Sequence, residues 1–232
     1  CSTAPSPRTT SGIASSSAWS VKGFTTGEGG MAVTDDEPLA ARMRSMSLHG
    51  LSQDAWKRFS GGPWDYRIVA PGFKYNLTDI ASSIGIHQLR RAESLRQRRE
   101  ELAERYRERF ADLSAVDLPP FQEDRLHSWH LFPIRLRTER LSIDRNAFIE
   151  ALKARGIGTS VHWRPLHLHP YYETTFGWRA DDLPVASAVW QRLVSLPLSP
   201  TLTDAEADIV VQAVRDVCVG AARRADGLRH AA

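Results

Sequence analysis

The spacing of apolar residues predicts two helices in the first half of the chain. One covers residues 37–48 and is closed by Gly50, because glycine is favoured just past a helix end. Its apolar stripe consists of Leu39, Met43 and Met46. A longer stripe predicts a second helix, which a Thr78 or Asp79 cap begins and which continues to about Leu113.

The apolar pattern changes after Pro119 and Pro120, where strand-like and helix-like segments begin to alternate. We predict strands at 129–136 and 157–163, a helix capped by Asp144 through Arg155, and helices at 184–195 and 203–222. This order predicts a small α/β domain, which the helix at 78–113 links to part of a larger one.

Two segments have no clean periodicity. Residues 2–17 are rich in Ser, Thr and Pro, a composition typical of disorder or a linker, and they lack the apolar run of a signal peptide. Residues 50–76 form a loop long enough to be functional in a compact domain. We therefore predict a disordered or non-native leader at 1–17, the remnant of a larger domain at 18–113 and a small domain at 114–232.

Composition narrows the function classes only modestly. The net charge is +3, and no apolar run approaches the roughly 18 residues that a membrane span needs. Cys1 and Cys218 lie at opposite ends of the chain, which gives no disulfide framework and favours a reducing cytoplasm.

The long helix carries many charges. Residues 90–109 contain eight Arg and five Glu, so a nucleic-acid surface is one interpretation. A solvated face is favoured instead, because Glu100, Glu104 and Glu108 interleave with Arg105 and Arg109 at the spacing of intrahelical ion pairs. We predict no nucleic-acid partner.

Lys22 is the leading candidate for chemistry. It precedes the turn Thr25-Thr26-Gly27-Glu28-Gly29-Gly30, whose glycines allow positive φ and a close approach to a ligand. A lysine held beside such a turn suits imine formation, provided that its pKa is lowered so that the amine is neutral. The alternative is an ordinary solvated lysine in a loop.

Three ordered segments together resemble the DegT/DnrJ/EryC1/StrS family of sugar aminotransferases. They are residues 21–31, 71–80 and 156–167, and Leu196-Pro197-Leu198 extends the match. The resemblance implies an α/β fold, the C-terminal part of the fold type I of enzymes that use pyridoxal 5'-phosphate (PLP). It also implies that PLP is the cofactor and that Lys22 is the catalytic lysine that binds it covalently.

The resemblance extends to the cofactor phosphate. Ser17 lies where the family commonly has a phosphate-contacting serine, and Lys74 replaces an asparagine that reaches the phosphate of the neighbouring subunit. Lysine is a sound phosphate partner as a point charge. The family pattern thus implies a homodimer with a shared active site.

The segment around His162 and His167 resembles the family's sugar-nucleotide end, which makes both residues substrate-binding candidates. The alternative is that the aromatic residues there only pack the domain. A metal site at His162, His167 and His169 is disfavoured, because no carboxylate or thiolate lies at ligand spacing and Pro165 and Pro170 interrupt any helix.

The resemblance implies a PLP-dependent aminotransferase that transfers an amino group from an amino acid to a keto-sugar nucleotide, as in polysaccharide biosynthesis. Family members carry a long part before the lysine motif that this sequence does not match, so we expect an N-terminally truncated member. The alternative is a non-catalytic remnant that acts as a binding or partner subunit.

Overall fold

The computed structural model describes residues 14–16, 23, 25–52 and 67–223. The chain divides into two compact units, Cys1–Ala92 and Glu93–Ala232. The boundary after residue 113 that the sequence predicts stays a prediction. No helix among the described residues is long and apolar enough to span a membrane.

The first unit contains a short antiparallel ladder and helical segments. Strand β1 (Ala14–Ser16) pairs with β2 (Met31–Val33). Helix α1 (Glu37–Ser47) begins where Asp36 Oδ1 accepts a hydrogen bond from Leu39 N at 3.0 Å. Beyond its end, Gly50 has a φ of +71° and donates to Ser45 O at 2.9 Å. The predicted helix and its glycine stop are therefore confirmed.

Helix α2 (Asp79–Phe110) runs from the first unit into the second, close to the predicted limits. Thr78 Oγ1 accepts from Ala81 N at 3.2 Å and caps its first turn. Arg96 pairs with Glu93 and Glu100 along the helix, as an interleaved solvated face predicts. Arg105 forms its ion pair with Asp208, while Glu108 of the same helix contributes a weaker attraction.

Apolar side chains of the first unit are largely exposed. Helix α1 has no buried residue, and among the described residues before 93 only Gly50 is buried. The exposed apolar side chains there include Met31, Val33, Ile68, Val69, Phe73, Tyr75, Ile80, Ile84, Ile86 and Leu89. These residues supply apolar surface without a core of their own.

The second unit is built on a three-stranded antiparallel sheet in the order β3–β4–β5. The strands are β3 (Val116–Asp117), β4 (Phe132–Leu136) and β5 (Leu193–Leu196). The helices after α2 are α3 (Arg145–Lys153), α4 (Pro170–Phe176), α5 (Pro184–Arg192) and α6 (Asp204–Gly220). Short 3-10 turns lie at Thr138–Arg140, Leu166–Leu168 and Ala180–Asp182.

The core of this unit forms where α2, α3 and α6 pack with the sheet. Its fully buried members include Leu102, Tyr106, Phe110, Phe132, Ile134, Leu136, Phe148, Leu152, Val194, Val211 and Val214. Tyr106 donates its hydroxyl to Pro197 O at 2.9 Å, and burial raises the pKa of this phenol above its ordinary value. The unit thus has an α/β core, but α2 contributes Leu102, Tyr106 and Phe110 to it, so the core is not confined to residues 114–232.

Two predicted elements of this unit were wrong. Residues 157–163 form no strand, because pairing is limited to one bridge in which Ser160 and Ser195 exchange backbone hydrogen bonds of 3.2 and 2.7 Å. The helix predicted over 184–195 ends at Arg192, and residues 193–196 form β5 instead. Pairing with β4 and the burial of Val194 override the helical pattern there.

Candidate functional site

The turn after Lys22 is held by its own threonines. Thr25 Oγ1 accepts from Gly27 N at 3.0 Å, while Thr26 Oγ1 donates to Glu28 O at 3.1 Å. Gly27 has a φ of +87°, a conformation that glycine adopts without a steric penalty. The spacing of the two threonines and the glycine therefore fixes the shape of the turn locally.

Thr26 also connects the turn with helix α2. A Cβ on Gly29 would lie 2.8 Å from Thr26 Oγ1, and one on Gly85 would lie 3.1 Å from Thr26 Cγ2. An apolar cavity of about 180 Å³ opens beside this contact. Its lining residues are Thr26, Gly30, Met31, Leu77, Ser82, Gly85, Ile86 and Leu89. The small residues Gly29 and Gly85 therefore allow the turn to pack closely against the first part of α2.

The segment that carries Lys74 lies along the C-terminal end of α1. Phe73 N donates to Met46 O at 2.7 Å, and Tyr75 N donates to Ser47 O at 2.8 Å. The rings of Phe73 and Tyr75 stack with centroids 4.9 Å apart. Because side chains alternate along extended backbone, Lys74 projects on the face opposite these two rings.

Two glycines allow this arrangement. A Cβ on Gly72 would overlap Gly50 N, and a Cβ on Gly50 would overlap Ala70 O. Lys74 itself is exposed, and within the described residues no carboxylate forms an ion pair with it. An exposed ammonium that forms no ion pair in the described part of the chain is suited to meet an anionic group.

Lys22 and Ser17 lie outside the described residues. Their predicted roles stay predictions, and the structure describes their neighbourhood only from Gly23 and Thr25 onwards.

In the second unit, His162 lines a small cleft of about 100 Å³. The cleft is lined by His130, Leu131, Gly158, Thr159, Ser160, His162, Ser195, Leu196, Pro197 and Leu198. His162 Nδ1 lies 2.9 Å from Ser195 Oγ on β5. The bridge between Ser160 and Ser195 therefore brings the predicted histidine and the Leu-Pro-Leu motif to one place.

His167 is placed differently. Its ring is 1% exposed, and its Nε2 lies 2.8 Å from Ser187 Oγ. Ser187 donates its single hydroxyl proton to Ala180 O at 2.9 Å, so it accepts from His167, whose Nε2 must carry a hydrogen. This geometry favours a scaffolding role for His167, and its contact with substrate stays a prediction.

The aromatic residues after His169 pack with one another. The rings of Tyr172 and Trp178 stack with centroids 5.6 Å apart, and Phe176 stacks on both of them. The packing interpretation of these aromatics is supported. In the part of the chain that the structure describes, no group of three or more His, Cys, Asp or Glu side chains is arranged to hold a metal ion.

Sequence reasoning missed Ser195 and Ser187, the hydroxyl partners of the two histidines. Ser195 directly precedes the Leu-Pro-Leu motif, which was the only available signal for it. Ser187 lies 20 residues from His167 and gave no signal at all.

Comparison with known proteins decides the family. The model of the DegT/DnrJ/EryC1/StrS aminotransferase family matches residues 9–215. The chain belongs to this family. The enzymes of the family depend on PLP, so the fold class and the cofactor that the sequence predicts are confirmed for the family.

Two curated family relatives show how far the match extends. An uncharacterized protein of Methanocaldococcus jannaschii is 49% identical over 200 residues, which are 86% of this chain and 52% of the relative. The spore coat polysaccharide biosynthesis protein SpsC of Bacillus subtilis is 42% identical over 205 residues, 88% of this chain and 53% of the relative. The chain thus spans about half the length of the curated relatives it matches.

A solved structure from the family agrees in fold. Spr1654 of Streptococcus pneumoniae, described as a sugar aminotransferase, is 34% identical in its PMP-form with a TM-score of 0.76. That match covers 88% of this chain and 52% of the other. The same protein in its PLP-form gives a TM-score of 0.75 at 33% identity.

Proposed function

We propose that the protein acts as a PLP-dependent aminotransferase on a keto-sugar nucleotide, with an amino acid such as glutamate as the donor. The observation that carries this proposal is the Thr-Thr-Gly-Glu-Gly-Gly turn directly after Lys22, inside a span that matches a family of sugar aminotransferases. The name of the Bacillus subtilis relative supports a place in polysaccharide biosynthesis.

The described residues fit PLP at two points. The turn has open space at Gly27 and Gly30, where an added Cβ would meet no atom of the described residues within 4 Å, so a ligand can approach the backbone closely. The exposed Lys74 ammonium can meet a phosphate group. When bound, PLP supplies an electron-withdrawing ring that stabilises charge at the carbon beside the transferred amine.

In this proposal, Lys22 would bind the cofactor covalently and transfer protons during the reaction. Its Nζ would hold the cofactor covalently until the donor amine displaces it. The released Nζ would then accept the proton that leaves the donor's α carbon and return a proton on the other side of the transfer. The rigid turn after Lys22 would limit where that nitrogen can move.

The remaining predicted site residues would bind the cofactor and the substrate and hold them in position. Ser17 and Lys74 would contact the cofactor phosphate, with Lys74 reaching the site of a neighbouring subunit in a homodimer. The exposed apolar side chains of residues 31–92 support association with further polypeptide. His162 would contact substrate from its cleft, oriented by Ser195.

A non-catalytic role as a partner subunit is the second candidate. The same exposed apolar surface favours it, because such patches mark interaction sites. A cytoplasmic location is part of the proposal for both roles, and the free cysteine Cys218 is compatible with a reducing compartment.

The proposed activity is tested by locating the covalent link. The protein is incubated with PLP, reduced with borohydride and mapped by peptide mass spectrometry. We expect the label on Lys22, because only this lysine precedes the glycine turn. The chain has three other lysines, Lys57, Lys74 and Lys153. A label on one of these, or no stoichiometric label, would contradict the aminotransferase proposal and favour the partner role.

Lys74→Ala is expected to weaken PLP binding about ten- to hundredfold. The loss corresponds to about 1.5–3 kcal/mol, the range for a hydrogen bond to a charged group. The dissociation constant is measured by fluorescence titration, with Lys153→Ala as the control for loss of one exposed lysine. Lys74→Asn, which introduces the residue common in the family, should recover part of the affinity. Equal dissociation constants for Lys74→Ala and the unmodified protein would contradict the phosphate contact and leave Lys74 as an ordinary surface lysine.

A further inference from the structure

Two arginines lie over the ring of Trp190 in the second unit, and a third lines the same cleft as this residue. Arg145, at the start of α3, has its Cζ 5.1 Å from the centroid of the Trp190 ring. The Cζ of Arg164 lies 5.4 Å from the same centroid. Arg192 ends α5 and lines the same cleft as Arg145 and Trp190. Positive charge is therefore concentrated at this ring and along the cleft beside it.

Within the described residues, none of these three arginines forms an ion pair with a carboxylate. Six other described arginines of this unit do form ion pairs with carboxylates: Arg96, Arg98, Arg105, Arg125, Arg137 and Arg215. Arg145 donates instead to Asn146 Oδ1 at 2.8 Å and to Trp190 O at 3.1 Å. Arg164 and Arg192 donate to backbone carbonyls, at 2.8 and 3.4 Å.

Asp144 also lines this cleft, but its carboxylate already caps a helix. Its Oδ1 accepts from Ala147 N at 2.8 Å and caps α3. Burial lowers the pKa of the Arg145 guanidinium from its ordinary value, and the charge of Asp144 only partly opposes that shift. A partly desolvated cation with this little compensation would be stabilised by an added anion.

The arginines border a cleft large enough for a small molecule. It has a volume of about 510 Å³, within the range of ligand sites in proteins. Its lining residues are Thr138, Asp144, Arg145, Asn146, Ala188, Trp190, Gln191 and Arg192. Thr138, Asn146 and Gln191 add neutral hydrogen-bond donors beside the two guanidinium groups.

We propose that this cleft is a binding site for a phosphorylated small molecule, with Arg145 and Arg192 as the phosphate ligands. The planar, multiply donating guanidinium matches the oxygens of a phosphate, and two such groups at one cleft can share one phosphoryl or diphosphoryl group. Arg164, which also contacts the Trp190 ring, adds to the positive potential near the cleft. The proposal uses residues that the aminotransferase proposal leaves without a role.

The test is calorimetric titration of the full chain with inorganic pyrophosphate at fixed ionic strength. We expect saturable binding, weakened about tenfold or more by Arg192→Gln and by Arg145→Gln. Arg155→Gln is the matched control, since exposed Arg155 also donates to a backbone carbonyl four residues earlier, Ala151 O at 2.9 Å, but does not line the cleft. It should bind within twofold of the unmodified protein.

Four results would overturn the proposal, the last of them with citrate. The first is no saturable binding by the unmodified protein. The second is equal weakening by Arg155→Gln and Arg192→Gln, which would indicate non-specific charge attraction. The third is binding that Arg192→Gln leaves intact, which would place the anion elsewhere, including at the proposed PLP phosphate contacts. Citrate serves as the carboxylate comparison, and equally tight, Arg192-dependent citrate binding would reject a phosphate site. Circular dichroism confirms folding, and if Arg145→Gln unfolds, Arg192→Gln decides alone.

Discussion

Replacing Lys22 by alanine is expected to abolish the covalent retention of PLP and to lower transamination about 10²–10⁴-fold, the range for loss of a positioned general acid–base. Alanine has neither the amine that holds the cofactor nor the nitrogen that moves the proton. The measurements are the absorbance of the bound cofactor after gel filtration and the rate of half-transamination with glutamate. Added methylamine should restore part of the rate, because it supplies a mobile amine.

The control for Lys22→Ala is Lys153→Ala. Lys153 is exposed at the end of α3 and pairs with Glu150 at 3.5 Å, so its loss removes a lysine without touching the turn. Cofactor retention and rate should stay at the level of the unmodified protein. If Lys22→Ala retained a covalent cofactor, Lys22 would not be the nucleophile.

Gly72→Ala is expected to open the contact between the Lys74 segment and the end of α1. The added methyl would overlap Gly50 N and the carbonyl carbon of His49, so backbone must move. Overpacking of this kind costs about 3 kcal/mol. The amides of His49, Phe73 and Tyr75 donate across this contact, and their hydrogen exchange should accelerate about a hundredfold. PLP affinity should fall as well, because Lys74 would lose its position.

Gly220→Ala is the matched glycine control. Gly220 ends α6, and an added Cβ would meet no atom within 4 Å. In Gly220→Ala, the amide hydrogens of His49, Phe73 and Tyr75 should exchange at the same rates as in the unmodified protein. If these amides still exchanged slowly in Gly72→Ala, the backbone would have accommodated the methyl group without opening. That result would contradict the close contact between Gly72 and Gly50.

The sequence predicted those parts of the fold that depend on local chemistry. Helix ends were readable because a cap needs only a few neighbouring residues: Thr78 starts α2, Asp144 starts α3, and Gly50 follows α1. The glycine turn after Lys22 was readable for the same reason, since its hydrogen bonds join residues two apart.

The parts that depend on distant partners were not readable. Residues 193–196 form a strand because β4, some 60 residues earlier in the chain, pairs with them. Arg105 forms its ion pair with Asp208, which lies on α6. The same limit applies to the site, where Ser187 binds His167 from 20 residues away. His162 and His167 lie in the same motif, so the sequence did not indicate that the ring of His167 is buried whereas His162 lines a cleft.

The contact between Gly50 and Gly72 has a consequence for variation of the sequence. Ser52 N donates to Arg67 O at 2.8 Å, so the ends of the segment between them are already held together. Gly50 and Gly72 are therefore expected to resist substitution among relatives, because a side chain at either position would collide with the backbone of the segment opposite. The main-chain pairing on either side of them would have to open before another residue could be accommodated.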